Sequence, residues 1–273
     1  MHTSALDNAN RFQSAYTPDK GAGLDICEIG AQNINGSLRE VFPSAKKYLG
    51  VDFVQGNGVD LVLTDPYKIP IESHSFDLTM CSSVFEHSDF FWLLFLEMAR
   101  ITKPGGYIYI NVPSCYGHYH QYPVDCWRFM PDAGLALSKW SSKNNFPCIL
   151  LESYISNQVD DHWNDFVGIF KMSQNVSPAV PARIISAGVD FFTNGIIGAT
   201  GQLINASKVD ETLEGYQSIK LEHDKWLKRS ATEELVFRMK RRIKSSAEKN
   251  LLSQTILRIH RLVKDASKKL SLR

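Results

Sequence analysis

The stretch Leu24–Ser37, LDICEIGAQNINGS, is a short apolar run that ends in an acid and a glycine and passes into a polar turn. An apolar run of that length, closed by glycine, reads as a buried strand that delivers its carboxyl end to a tight loop. Backbone without bulk at a strand tip, with an acidic acceptor beside it, suits an adenosine-bearing ligand. Alone the pattern is common. Its weight comes from the acids and glycines downstream of it, which stand at the expected distances.

A polar lead of about one helix precedes Leu24, and Gly36-Ser37 before LREVF reads as a helix start with a capping serine. A second strand, Tyr48 to Asp52, is also closed by an acid, and Asp52 lies 24 positions after Glu28, about the length of a strand-helix-strand unit. A third, Val59 to Leu63, runs into Thr64-Asp65-Pro66, where proline stops the ladder and leaves Asp65 at the tip. Phe76 to Ser82 is a fourth strand. Apolar positions at Phe91, Leu94, Phe95, Met98 and Ile101 then predict a helix that Lys103-Pro104-Gly105-Gly106 ends, before a fifth strand at Tyr107 to Val112. Strands alternating with helices imply a parallel sheet covered on both faces.

Pro113 to Gly134 is a long, aromatic and histidine-rich segment without period, of the kind that more often carries function than not. Leu135 to Lys143 reads as a helix, and Cys148 to Ile155 and Val167 to Lys171 as strands. Beyond Ser173 the pattern becomes helical, around residues 211–245 and 248–270. In the last helix Leu252, Ile256, Ile259, Val263, Ala266 and Leu270 form one apolar stripe.

Charge divides the same way. Residues 1–215 carry 14 Lys/Arg against 23 Asp/Glu, and residues 216–273 carry 16 against 6. The basic tail is expected to meet a peripheral membrane surface or a protein partner, packing being the commoner use of such a stripe. Nucleic acid is disfavoured, because the body is acidic and no RNA-binding module is visible. Five cysteines without CxxC spacing favour neither disulfides nor a zinc site and fit a reducing compartment. With no signal-peptide pattern and no run as long as a membrane span, a cytoplasmic location is expected.

In order and spacing ICEIG, YLGVD, TDPY, FDLTMCSSVFEH and KPGGYIYINVPS resemble class I S-adenosylmethionine-dependent methyltransferases, from residue 24 to about 112. YPVDCWRFMPDAG and WNDFVGIF resemble a bacterial branch associated with surface-polysaccharide assembly, which extends the likeness to about residue 171. The resemblance implies an α/β, Rossmann-like, seven-stranded, mostly parallel sheet with an antiparallel last strand. Together with the change of pattern after Ser173, this divides the chain into a methyltransferase domain at 1–172 and an α-helical C-terminal extension at 173–273, which the resemblance does not cover.

By the same resemblance S-adenosylmethionine is the cofactor. Glu28 and Gly30 would sit against its methionine moiety and the backbone turn, Asp52 would accept from the ribose hydroxyls, and Asp65 would meet the adenine amine. Phe53 would pack on the adenine ring, and Gln32 and Ser83 complete the expected cofactor set. Gln32 stands where the family commonly has a second glycine, in a longer loop. An acid like Asp52 alone would suit a nicotinamide cofactor equally, but the first loop has no GxGxxG.

Transfer to a hydroxyl needs a group to take its proton, and a histidine near neutral pKa suits that task. His87, His118 and His120 flank the expected cleft. His120 is the first choice, with Asp125 as orienting acid, and His87 the second. Some related enzymes carry an additional glutamate three positions before a Glu-His pair, forming a divalent-metal site; here Ser83 stands there, so no metal is expected. Tyr122, Trp127 and Arg128 suggest a platform and clamp for a sugar or acidic acceptor. The expected reaction is O-methylation of a glycan, a glycan precursor or a comparable small molecule. The rival is a non-catalytic, cofactor-binding or scaffold protein of the same fold that partners membrane-associated glycan-assembly enzymes.

Overall fold

The computed structural model of the protein describes residues 2–114, 119–121, 123–157, 164–173 and 183–207. The chain divides into two units, Met1–Ser207 and Lys208–Arg273. The expected helices at 211–245 and 248–270 lie outside the described residues.

Helix α1 (Thr3–Tyr16) turns Ala5, Ala9, Phe12 and Tyr16 inward. The strands follow as β1 (Asp25–Ile29), β2 (Lys47–Asp52), β3 (Leu61–Val62) and β4 (Phe76–Ser82). Helix α2 (Phe91–Ile101) leads directly into β5 (Thr102–Pro113), and α3 (Asp132–Lys143) into β6 (Cys148–Ser156) and β7 (Asp165–Met172). A hairpin, β8 (Phe192–Ile197) and β9 (Gln202–Ile204), closes the series.

The sheet order is β3-β2-β1-β4-β5-β7-β6-β8-β9. The first five strands pair in parallel, and β7 lies antiparallel between β5 and β6. The parallel first half is as expected, but the described residues form nine strands and not seven, because β8 adds to the outer edge of β6 and β9 pairs with β8. A helical extension starting at residue 173 is therefore corrected: Thr193, Ile196 and Ile197 continue the sheet, as β-branched residues at a half-buried edge favour.

Two local expectations also change. The helix predicted after Ser37 is a single 3-10 turn, Leu38–Val41, with the Ser37 hydroxyl accepting from the Arg39 N–H. Pro43 explains the stop, since it donates no N–H and disfavours helical backbone at Phe42. The PGG turn does not separate helix from strand but lies inside β5. There Phe76 pairs with Thr102 and Leu78 with Tyr107, so residues 103–106 bulge outward. A β-carbon on Gly106 would lie 2.8 Å from the Asp77 carbonyl oxygen, which is why glycine is needed at that crossing.

Side-chain alternation splits the core between the two faces of the sheet. Ile26, Leu78, Met80 and Tyr109 pack with Phe12 and Tyr16 of α1, while Cys27, Ile29, Cys81, Ile108 and Ile110 pack with Leu94, Phe95 and Met98 of α2. The strand order reverses direction between β1 and β4, which leaves a crevice beyond their carboxyl ends.

Candidate functional site

The register fixes what meets at that crevice. Ile29 pairs with Val51 on one side and Cys81 on the other, and Ser82 pairs with Asn111, so Gly30, Asp52, Ser83 and Val112 all emerge near one end of the sheet. Gly30 has φ +79°, and a β-carbon there would lie 2.2 Å from Val84 Cγ2. Glycine is thus required by backbone conformation and by contact alike.

The loop after Gly30 is tied to the neighbouring strand. The N–H groups of Gly30 and Ala31 both donate to the Val51 carbonyl oxygen, at 2.9 and 3.1 Å, and Asn33 N–H donates to the Asn57 carbonyl at 2.8 Å. Gln32 N–H donates to Asp52 Oδ2 at 3.2 Å, while Val54 N–H donates to Asp52 Oδ1 at 3.1 Å. Asp52 therefore holds two loops together and keeps unused acceptor positions on both oxygens.

A cleft of about 400 Å³ opens at these tips. Of the residues predicted from sequence, Glu28, Gly30, Gln32, Ser83, His87 and His120 line it together. Asp52, Phe53, Asp65 and Asp125 are not among its lining residues. Asp52 is buried at the edge of the loop, and Phe53 is half exposed. Asp65 is exposed and caps its own turn, accepting from the Tyr67 N–H at 2.8 Å. Asp125 stands behind His120, accepting its backbone N–H at 2.8 Å.

Burial sets the electrostatics. Glu28 is pushed up to about 7 by desolvation, which the Tyr48 hydroxyl, donating at 2.6 Å, partly opposes. Glu86, on a 3-10 turn (Phe85–His87) after β4, is fully buried and pushed up to about 8, again by desolvation. Desolvation lowers His87. Asp125 is held down at about 2, chiefly by hydrogen bonds from the Arg128 guanidinium.

Glu86, His87 and His120 form a cluster at the cleft wall, one ligand-type atom from each lying within 4.8 Å of the others. Glu86 Oε1 is 3.7 Å from His87 Nε2 and 3.8 Å from His120 Nε2. His87 Nδ1 faces the Val124 carbonyl oxygen, which can only accept, so that nitrogen carries the hydrogen and Nε2 keeps its lone pair.

Two predicted roles move. Arg128 is committed to Asp125 and to the Trp127 carbonyl rather than free as a clamp. Trp127 donates its ring N–H to the Ser88 carbonyl and packs edge-on against Phe91 and Trp92, which makes it part of the α2 packing and not a cleft platform. His118 and Tyr122 lie outside the described residues. Sequence reasoning missed His2, which lines the cleft from the start of α1 with Nε2 3.8 Å from Asp165 Oδ2. No local motif marks it, because β7 supplies its partner from 163 positions away.

Residues 27–110, from β1 into β5, match the model of a family described as a methyltransferase domain. No curated protein matches the sequence. Similar solved structures include 1,6-didemethyltoxoflavin-N1-methyltransferase of Burkholderia thailandensis, with bound 1,6-didemethyltoxoflavin and S-adenosylhomocysteine. It is 12% identical, with a TM-score of 0.48, over 62% of this chain and 79% of that one. An S-adenosylmethionine-dependent methyltransferase of Archaeoglobus fulgidus is 14% identical, with a TM-score of 0.45, over 61% of this chain and 94% of its own. One from Mesorhizobium loti is 15% identical, with a TM-score of 0.43, over 61% and 99%.

Proposed function

We propose that this chain is an S-adenosylmethionine-dependent methyltransferase acting on a hydroxyl of a glycan or glycan precursor. The observation that carries the reading is the switch-point cleft, in which Glu28, Gly30, Gln32 and Ser83 meet His87 and His120 within the segment that matches a methyltransferase domain and the loop that follows it. The glycan assignment rests on the resemblance of YPVDCWRFMPDAG and WNDFVGIF to the polysaccharide-associated branch.

The residues fit the cofactor. Gly30 lines the cleft, with the space of its missing β-carbon taken by Val84, and the Glu28 carboxylate, which lines the same cleft, suits a cationic amino-acid end. Asp52 would take ribose hydroxyls on its remaining lone pairs, and Asp65 and Phe53 would serve the adenine side. When bound, S-adenosylmethionine supplies a methyl group on a positively charged sulfur. Because that charge is neutralised on transfer, the protein's share is alignment and exclusion of water.

A hydroxyl acceptor loses its proton as its new bond forms. The two imidazoles at the cleft wall are placed to receive it, and His120, backed by the ionised Asp125, is the better oriented. Asp125 thus acts on the ring and not on the acceptor.

A second reading, a cofactor-binding or scaffold protein without transferase activity, is favoured by one observation: both Asp52 oxygens already accept backbone N–H groups. Calorimetric titration with S-adenosylmethionine and S-adenosylhomocysteine tests both. Binding by the wild type that is lost in Asp52→Ala, with turnover of a hydroxyl acceptor, is expected. Absence of binding sinks the enzyme, and binding without turnover across a panel of glycan acceptors leaves the scaffold.

A further inference from the structure

We infer that Glu86, His87 and His120 form a binding site for one divalent transition-metal ion at the wall of the cleft. The sequence alone argues against a metal, because Ser83 cannot replace a carboxylate ligand. The fold supplies another donor from a distance, since His120 comes from the segment after β5, 33 positions beyond His87, and brings Nε2 to 3.8 Å from Glu86 Oε1.

Three observations point to an ion. Glu86 is 0% exposed, and neither of its carboxylate oxygens has a hydrogen-bond partner. A buried carboxylate without a partner is costly, and a cation between its oxygen and the two imidazoles removes that cost. Second, the far side of each ring is held. The Val124 carbonyl fixes the hydrogen of His87 on Nδ1, and Asp125 Oδ2 lies 3.5 Å from His120 Nδ1, so both Nε2 atoms turn toward Glu86. A ligating histidine usually has this outer partner, a carbonyl or a carboxylate.

Third, the spacing is nearly right. Donors at about 2.1 Å from a tetrahedral ion stand roughly 3.4 Å apart, so the 3.7 and 3.8 Å separations from Glu86 need only a small closure, and the donor atoms as a set, within 4.8 Å of one another, need a side-chain adjustment of about an ångström. Because His87 and His120 line the cleft, an ion there would keep an open position toward an acceptor oxygen.

Two imidazoles and one carboxylate suit Zn²⁺, Fe²⁺, Co²⁺ or Mn²⁺ rather than Ca²⁺ or Mg²⁺, which take oxygen ligands. With the ion bound, His120 is a ligand and not a proton acceptor. Ion binding is measurable without cofactor or acceptor, so this inference and the methyltransferase reading can fail separately.

The test uses the full chain, stripped with a chelator and titrated with Zn²⁺ against a chromophoric competitor. One equivalent per chain is expected, unaffected by excess Mg²⁺. Glu86→Gln, His87→Ala and His120→Ala should each weaken it by about tenfold or more while far-ultraviolet dichroism is kept. Cys126→Ser, which removes an exposed thiol, should change nothing. Should an alanine variant fail to fold, the visible spectrum of the Co²⁺-loaded wild type, compared with Glu86→Gln, reads the same ligation. Absence of stoichiometric binding, or binding that survives both Glu86→Gln and the histidine variants, overturns the site.

Discussion

Gly30 and Val84 face each other so closely that a β-carbon at position 30 would lie 2.2 Å from Val84 Cγ2. Position 30 also has φ +79°, so an added methyl meets a steric cost and a conformational one. Gly30→Ala is expected to lose about 2 kcal/mol or more of stability in urea melts. Relative to Val84→Ala alone, Gly30→Ala/Val84→Ala should lose only about 1 kcal/mol, the backbone part. A fully additive pair of losses would show that the two residues do not compete for space.

Glu28 gives a pH dependence with a definite sign. Its folded value, about 7, lies above the ordinary 4.5, so the folded state binds the proton more tightly. That contribution is fully present below about pH 4.5 and is lost as pH rises through about 7. Glu28→Gln, which stays neutral and can still accept from Tyr48, should be more stable than the wild type at pH 8, by an amount on the order of 3 kcal/mol. The difference should close by pH 4.5. Thermal melts across that range decide it, and a constant offset at every pH would rule out ionisation of Glu28 as the cause.

Glu152 anchors the segment that follows the antiparallel strand. Its carboxylate is fully buried, accepts from the Tyr16 hydroxyl, and takes the N–H groups of Arg183, Ile184 and Ile185 at 3.1, 3.0 and 2.8 Å. Glu152→Ala leaves those donors unsatisfied and should cost about 3 kcal/mol or more. For the same reason a chain ending at residue 172 should fail to fold, with Glu152 deprived of its backbone donors and β6 left as a bare edge. A chain ending at residue 207 should retain cooperative unfolding. Dichroism and melting of the two chains check the pair of expectations.

His120 should separate binding from chemistry. His120→Ala is expected to keep S-adenosylmethionine affinity within about twofold by calorimetry while transfer to a hydroxyl acceptor falls by about 10² or more. Unchanged turnover would remove His120 from the reaction as proton acceptor.

The parallel half of the fold was legible because its signals are local. FDLTMCS is buried on both faces and reads as such, and α2 runs over Phe91–Ile101, where the apolar spacing predicts it. Glu28, Gly30 and Ser83 sit at strand tips for the same reason. The features hidden from sequence depended on distant partners. The β8–β9 hairpin is strand because β6 offers it an edge, and its own glycines and asparagines do not announce it. Likewise nothing near Glu86 reveals that His120 will arrive beside it.

The bonds that tie the first loop to β2 bear on how quickly the cleft can be filled. Amides of Gly30, Ala31, Gln32 and Asn33 all end on Val51, Asp52 or Asn57, so this rim opens as a unit or not at all. Amide hydrogen exchange should show the four protected to a common extent, with the exposed Ile34 exchanging faster. A rim that is already assembled does not wait for a ligand to order it. Association should then follow a single phase that scales linearly with ligand concentration, and any slow step in turnover belongs elsewhere in the cycle.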